Sequence, residues 1–224
     1  MSRRGGMYRC EAVSPEAFIQ QVSCNLVNHG YWFYVAARVP PGKDVQSVDR
    51  KLVAGYGLDV SKWVQSRRKA KGLAKIAYLR HERFFVLLAT EGKHIFFERE
   101  AVKDIRREPL VFAGYCIGAG KGSDGRYHAS VRIDADQFQN VREHLLDLAC
   151  RRSKENLIQA FRELRFEAYA RVRRQLLRLL REVNEKRRTA GFEPVPMTCL
   201  RLRRLPMPVF KPAGEMGEAA PQMT

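Results

Sequence analysis

The stretch AKIAYLRHERFFVLLATEG, residues 74–92, decides which fold this sequence adopts. Its apolar run FFVLLA at 84–89 is far too short to span a bilayer and is typical of a buried β-strand. We therefore predict one long strand or a tight pair of strands in this stretch. HIFF at 94–97 predicts a further edge strand.

The segments before this stretch alternate between helix and strand patterns. SPE at 14–16 supplies a hydroxyl cap, a proline at the first helical position and an acid in the first turn. Asp44 predicts the cap of a second helix. Between these helices, YWFYVAARV at 31–39 predicts a strand, and MYRCEAV at 7–13 predicts a short first strand.

The segments after this stretch add a hairpin and then helices. LVFAGYCIG at 110–118 and RYHASVRID at 126–134 flank a glycine-rich turn, which predicts a hairpin. From Asp136 onward the apolar residues recur with helical spacing. This order predicts an α+β fold: a ferredoxin-like antiparallel sheet with helices packed on one face, followed by a C-terminal helical region.

The predicted elements divide the chain into three parts. We expect an α+β core at 7–135, a basic helical region at 136–190 packed on or beside that core, and a Pro-rich extended tail at 191–224 that is disordered beyond Pro212.

The net charge of +17 indicates a partner of opposite sign, nucleic acid first and an anionic membrane surface second. The charge is unevenly placed along the chain. Residues 61–83 carry eight Lys and Arg against one Glu, and residues 151–188 carry thirteen against five acids. Residues 84–150 are close to neutral, with nine against ten. Two basic segments around a neutral core are typical of a binding surface.

The five cysteines are not arranged for a disulfide framework or a zinc site, because no two have CxxC spacing. The basic N-terminus MSRRGGMYRC has no apolar stretch behind it that could serve as a signal sequence, and the longest apolar runs are too short to span a membrane. We therefore expect a soluble cytoplasmic protein with reduced cysteines, no cofactor, no metal and no membrane partner.

A row of arginines lies in the second basic segment, at i, i+3, i+7 and i+10 of a predicted helix: Arg171, Arg174, Arg178 and Arg181. The row lies away from the apolar face of that helix, and arginine makes planar two-point contacts with phosphate oxygens. The alternative is a solvated helix face, since Glu182 and Glu185 partly neutralise the row.

The first basic segment contains a connector at 61–72 that mixes an aromatic ring with cations: Lys62, Trp63, Arg67, Arg68, Lys69 and Lys71. A tryptophan among cations is typical of base stacking beside phosphate contacts. The alternative is that Trp63 anchors the loop to the core. LRLRRL at 200–205 predicts an edge strand with a basic outer face, formed by Arg201, Arg203 and Arg204.

The turn AGKG at 119–122 is not a Walker phosphate loop. That loop needs a glycine where Tyr115 stands and a hydroxyl where Gly122 stands. The glycines therefore predict a flexible hairpin turn, from which Lys121 and Arg126 contact a backbone phosphate.

The histidines lack the spacing of a metal site. His81, His94 and His128 could meet across neighbouring strands, and Asp134 with Asp136 could bind magnesium, although Asp136 is better explained as a helix cap. We favour phosphate contact for the polar ends of the apolar strand, namely Arg80 and Arg83 with His81 at one end and His94 at the other.

The order of YWFYVAARVPPG, a helix and AYLRHERFFVLLATEG resembles the core of the single-tyrosine HUH transposases, especially the REP-associated group. The resemblance covers residues 31–92 and is one of pattern. It places Arg83 and Phe85 where that family has its two metal-binding histidines, so the metal site is missing. It implies a relative that kept the nucleic-acid surface and lost or changed cleavage, with Tyr169 placed as a helical nucleophile.

The sequence thus predicts a nucleic-acid-binding protein that contacts the phosphate backbone of DNA or RNA, encoded by a mobile element or acting in a ribonucleoprotein with protein partners. One alternative is a metal-dependent nuclease or transposase using His81, His94 or His128. Another is a basic subunit that binds an acidic protein. No motif in the chain separates DNA from RNA.

Overall fold

The computed structural model describes residues 8–60 and 62–211, which form an α+β structure of helices and antiparallel sheets. The chain divides into two compact units. Within the described residues, the first unit holds 8–104 and 207–211, and the second holds 105–206. None of the helices in this part of the chain combines the length and the apolar composition needed to cross a membrane.

The first unit is built around a four-stranded antiparallel sheet with the strand order β2-β3-β1-β4. Its strands are β1 (Phe33–Arg38), β2 (Ile76–His81), β3 (Phe84–Ala89) and β4 (Lys103–Asp104). Its α-helices are α1 (Pro15–Gln20), α2 (Val45–Gly55), α3 (Lys62–Ala70) and α4 (Phe96–Arg99). The α+β class is thereby confirmed, and the ferredoxin-like arrangement within it stays a prediction.

Both predicted helix starts in this unit are confirmed. The Ser14 hydroxyl accepts the Ala17 N–H at 3.1 Å. The Asp44 carboxylate accepts the Gln46 and Ser47 N–H groups at 3.3 and 2.8 Å. Each cap satisfies backbone donors that have no partner within their own helix, and so it fixes where the helix begins.

The stretch 74–92 forms the predicted tight pair, β2 and β3, joined at Glu82 and Arg83. The sheet is covered on both faces, so the expectation of helices on one face is wrong. Phe18 of α1 packs edge-on against Phe84 on one face, with ring centroids 5.7 Å apart. On the other face, Tyr78 and Leu87 pack into a core cluster with Phe96.

Three local predictions in this unit are corrected. The segment 94–97 is no edge strand, because the His94 ring accepts the Phe96 N–H at 3.0 Å and starts the single turn α4. Residues 61–72 contain the helix α3 and not a loop. The predicted strand at 7–13 is reduced, in its described part, to one parallel bridge between Glu11 and Arg80.

The second unit has the three-stranded antiparallel sheet β5-β6-β7 and three long helices. Its elements are β5 (Leu110–Phe112), β6 (Tyr115–Lys121), β7 (Tyr127–Ile133), α5 (Ala135–Leu148), α6 (Lys154–Arg162) and α7 (Ala170–Thr189). The predicted hairpin forms, but the strand predicted at 110–118 is split by a turn. Ala113 and Gly114 both have positive φ there, at 48° and 77°.

The helix α7 is fixed against the hairpin. The Gln175 amide accepts the Ile133 N–H at 2.8 Å and donates to the Ile133 carbonyl at 3.1 Å. The N-cap residue of α5 is Asp134 and not Asp136 as predicted, and the Asp134 carboxyl group makes no cap hydrogen bond.

The packing groups the chain differently from the predicted division at 135/136, because β7 packs against α7 within one unit. Of the predicted tail, residues 191–206 belong to the second unit and 207–211 to the first. Residues 212–224, where disorder was predicted, lie outside the described residues.

The core of the first unit contains a buried ion pair. Arg80 is only 5% exposed, and its Nε and Nη2 donate to the Asp49 carboxylate at 3.0–3.1 Å. Its Nη1 donates to Glu11 at 3.1 Å and to the Glu82 carbonyl at 2.7 Å. The Tyr78 hydroxyl completes the network at 2.5 Å from Asp49. Every charge removed from water here has a hydrogen-bonded partner.

The network also sets the chemistry of its neighbours. Burial raises the pKa of the Cys10 thiol to about 12, and the nearby Asp49 charge adds to the effect. Burial and the hydrogen bond to Asp49 likewise raise the pKa of Tyr78. Because the thiolate is the reactive form of cysteine, Cys10 is an inert core residue.

We predict that Asp49→Asn lowers the free energy of unfolding of the first unit by about 3 kcal/mol, because it removes the buried carboxylate that pairs with Arg80 and leaves the largely exposed Glu11 as the only carboxylate on this guanidinium in the described network. Urea denaturation followed by tryptophan fluorescence measures this, since Trp32 and Trp63 both lie in the first unit. Asp59→Asn, at an exposed carboxylate of the same unit, is the control and changes stability by less than about 0.5 kcal/mol. An equal effect of the two substitutions would contradict the assigned role of Arg80.

Candidate nucleic-acid interface

The two arginines predicted to contact phosphate from one end of the apolar strand make their hydrogen bonds within the first unit instead. Arg80 is buried in the network with Asp49 and offers no donor to a ligand. Arg83 donates from Nε to the Val39 carbonyl at 3.0 Å and from Nη2 to the Pro40 and Lys43 carbonyls. It therefore closes the loop between β1 and α2. We leave both residues out of the interface.

The histidines have structural partners of their own. His81 lies 3.2 Å from the Ala12 carbonyl through Nδ1. Burial, together with the Arg68 charge, lowers the pKa of His94. His128 lies in the second unit, 2.9 Å from both carboxylate oxygens of Asp124. In residues 8–60 and 62–211, no group of three or more His, Cys, Asp or Glu side chains could hold a metal ion.

The predicted arginine row lies on the exposed side of α7. The opposite side of the helix is buried in the second unit through Val172, Leu176, Leu179, Leu180 and Val183. The four arginines of the row are all exposed: Arg171, Arg174, Arg178 and Arg181. At 1.5 Å per residue, the row extends over about 15 Å.

Glu182 neutralises part of the row near its C-terminal end. It accepts hydrogen bonds from Arg178 at 2.7 Å and from Arg142 of α5 at 2.5 Å. Burial alone raises the pKa of Glu182, but the two arginines outweigh burial, and the pKa lies below its usual value. The Glu182 carboxylate therefore stays ionised and keeps Arg178 of the row in an ion pair.

The hairpin tip continues the row at its N-terminal end. The Arg171 guanidinium would lie 3.8 Å from a Cβ at Gly120, so this arginine reaches the end of β6. The exposed Arg126 lies in the turn, where its N–H donates to Asp124 and its carbonyl accepts the Gly122 N–H. Lys121 lies 5.8 Å from the Tyr127 ring. Lys121 and Arg126 therefore lie at the two ends of the turn that follows Gly120, the residue that Arg171 approaches.

Two further arginines of the second unit were missed in the sequence. The guanidinium of Arg106 lies 5.4 Å from the centre of the Tyr127 ring. Arg132 is exposed on β7 and donates to the Cys116 sulfur at 3.4 Å. The alternation of RYHASVRID could have indicated Arg132, because that residue lies on the polar face of the predicted strand.

Other cations of the basic segments are structural. Arg187 is 2% exposed and donates to the carbonyls of Glu193, Ala149 and Arg152. Arg187 thereby supplies hydrogen-bond donors to backbone carbonyls that follow α5 and α7. Arg187 therefore does not extend the exposed row, which ends at Arg181.

The segment LRLRRL at 200–205 forms no strand, so the predicted basic edge strand is wrong. Within the described residues it pairs with no neighbouring strand. Arg201 and Arg203 are exposed, and Arg204 lies 4.6 Å above the Tyr169 ring. Tyr169 occupies the N-cap position of α7 and is partly buried there.

In the first unit, α3 carries the remaining predicted residues. Trp63 is 65% exposed, so it does not anchor this segment to the core. The Arg67 guanidinium lies 4.5 Å from its ring, and Arg68 donates to the Gly57 carbonyl at 3.2 Å. Lys71 is exposed. The side chains of Lys62 and Lys69 lie outside the described residues.

The chain matches none of the family models, curated proteins or solved structures with which it was compared. The resemblance to HUH transposases stays a prediction. At the two positions where that family has histidines, Arg83 closes a loop and Phe85 packs 5.8 Å from the Tyr78 ring.

We predict that Glu182→Gln strengthens binding to duplex DNA of arbitrary sequence, because it releases Arg178 from its ion pair. The slope of log affinity against log salt steepens by about one unit for one added phosphate contact. Fluorescence anisotropy at several salt concentrations measures the slope. Glu163→Gln, at an exposed acid of the same unit, removes the same charge and leaves the slope unchanged. Equal slopes for the two variants would show that Arg178 is not held back by Glu182.

Proposed function

We propose that this protein binds nucleic acid, DNA or RNA, through contacts between exposed arginines of the second unit and phosphate oxygens. The observation that carries the proposal is the row Arg171, Arg174, Arg178 and Arg181 on the exposed side of a helix whose other side is packed. The second unit contains 22 Lys and Arg against 12 Asp and Glu, so its field attracts polyanions.

The chemistry of the row suits phosphate. A guanidinium presents several N–H donors in a planar fork, which matches two oxygens of one phosphate. Helix α7 is held by its buried face and by the Gln175 amide on Ile133, so the row is positioned before a ligand arrives. Little ordering of the backbone is then needed on binding.

The hairpin tip lengthens the contact surface. Arg171 approaches Gly120 at the end of β6, and a strand of phosphates that follows α7 would continue toward the turn that carries Lys121 and Arg126. Such contacts read the backbone and not the bases. We therefore propose binding without strong sequence preference and with a steep dependence on salt.

A cytoplasmic nucleoprotein complex is the setting we propose, one belonging to a mobile element or a ribonucleoprotein. None of the cysteines at 10, 24, 116, 150 and 199, all of which are described, forms a disulfide. That state is usual in a reducing compartment. An acidic protein is the alternative partner for the same arginines, and nuclease treatment separates the two.

We predict that Arg171→Glu, Arg174→Glu and Arg181→Glu together weaken binding at least about 100-fold at moderate salt, since three charge-assisted contacts are replaced by repulsion. The salt slope falls by about three units. Arg178 is left intact in this variant, because a glutamate there would lie beside Glu182 and destabilise the helix.

The matched control reverses three exposed arginines of the same unit outside the row, Arg107, Arg162 and Arg165. It changes the net charge by the same amount, so the comparison separates position from total charge. Anisotropy with labelled DNA and RNA gives the affinities, and circular dichroism checks folding. Equal losses in both variants would overturn the proposed row.

A further measurement distinguishes DNA from RNA as the bound nucleic acid. Protein purified at low salt is expected to show a high ratio of absorbance at 260 and 280 nm that collapses under either DNase or RNase. A partner that remains bound after both nucleases, with an absorbance ratio typical of protein, would favour the acidic protein instead.

A further inference from the structure

Helix α3 of the first unit presents an indole to solvent. Trp63 is 65% exposed, whereas tryptophan is on average one of the more buried residues of folded proteins. The Arg67 guanidinium lies 4.5 Å from the ring, which is cation–π distance. The ring thus presents a large flat apolar surface to solvent directly beside a cation, a combination that suits a ligand carrying both a flat ring and a negative charge.

The other side of α3 is fixed to its own unit. Arg68 donates to the Gly57 carbonyl at 3.2 Å, and the Leu73 N–H closes the end of the helix on the Arg68 carbonyl at 3.0 Å. Val64 is partly buried. One side of α3 therefore contacts the rest of the first unit. Trp63 lies on the solvent-facing side, which is why its ring is exposed.

The exposed edge of α3 has a regular order. Trp63, Arg67 and Lys71 follow at i, i+4 and i+8, with Lys71 at the end of the helix where its N–H donates to the Arg67 carbonyl. These spacings place the three side chains along one edge. One aromatic ring followed by two cations offers a stacking surface with two phosphate contacts beside it.

Charge and ring chemistry together select the ligand. Protein interfaces surround a buried aromatic residue with further apolar residues, whereas the described neighbours on this edge are cations. In duplex DNA or RNA the base faces are stacked inside the helix and cannot reach a protein ring. Only an unpaired base can stack on Trp63 while its own phosphates contact Arg67 and Lys71.

We infer that the edge formed by Trp63, Arg67 and Lys71 binds single-stranded nucleic acid by stacking a base on the indole. The inference rests on the proposed function and narrows its substrate class to strands with unpaired bases. The arginine row of α7 makes phosphate contacts that are open to any strand, whereas stacking on Trp63 needs an unpaired base.

Intrinsic fluorescence tests the stacking directly. The chain has two tryptophans, and Trp32 is partly buried just before β1. The probes are an oligothymidylate of about 15 nucleotides, an abasic oligomer of equal length and a duplex. We expect the oligothymidylate to quench the emission of the wild type and the abasic oligomer to leave it unchanged. Trp63→Phe, which keeps Trp32, is expected to show no quenching with any probe.

Affinity gives the second readout. Trp63→Ala is expected to weaken oligothymidylate binding about tenfold, or about 1.4 kcal/mol, and to leave abasic binding unchanged. Arg67→Ala is expected to weaken binding of both the oligothymidylate and the abasic oligomer. Its control is Arg50→Ala, at an exposed arginine of α2 in the same unit, which is expected to change neither. Circular dichroism confirms that each variant is folded.

The outcomes separate the two proposals. Binding of the oligothymidylate and the abasic oligomer with equal affinity, without quenching, would overturn stacking and leave the phosphate row standing. Tighter binding to the duplex than to the single strand would also overturn it. Absence of binding to every probe would overturn the proposed function itself.

Discussion

The guanidinium of Arg80 joins three segments of the first unit that are distant in sequence. It contacts Asp49 of α2, Glu11 of the segment beside β2, and the Glu82 carbonyl at the turn of the central hairpin. A buried charge of this kind is tolerated only when its hydrogen bonds are nearly all satisfied, so the three segments must assemble together. The outer edge of β2 is covered as a result, because residues 10 and 12 bond to Arg80 through the backbone.

The arginines of the chain fall into two groups according to whether their donors are occupied within the fold. Arginines that are surrounded by carbonyls and carboxylates hold the fold, as Arg80, Arg83 and Arg187 do. Arginines that follow the exposed side of α7 are accessible to solvent. Net charge therefore overstates the size of a binding surface, and the position of each guanidinium decides whether a polyanion can reach it.

Local signals in the sequence were sufficient for part of this structure. The caps at Ser14 and Asp44 and the glycine-rich hairpin turn depend on neighbours within a few residues, and these elements form as predicted. Helix α3 was missed because most of its residues are polar, so no apolar period marks it. The turn at His94 was missed because it depends on a ring accepting a backbone N–H.

The candidate interface was predictable to a similar extent. Helical spacing alone placed the row of α7 on one exposed side, because the apolar residues of that helix fix which side is buried. Burial of Arg80 was not predictable, since its partner Asp49 lies 31 residues away and only tertiary packing brings them together. Exposure of Trp63 likewise depends on which side of α3 is held by Arg68.

The bonds made by residues 207–211 have a consequence for synthesis on the ribosome. The Gln20 side-chain amide donates to the Met207 carbonyl and accepts the Met207 N–H, and the Val13 N–H donates to the Val209 carbonyl. The first unit therefore includes a segment that follows the second unit in the sequence. The second unit is in effect an insertion, and it can fold while the first still lacks this closing segment. Domains generally fold as they emerge, N-terminal first. Here the N-terminal unit gains its last contacts only after the whole second unit has been synthesised.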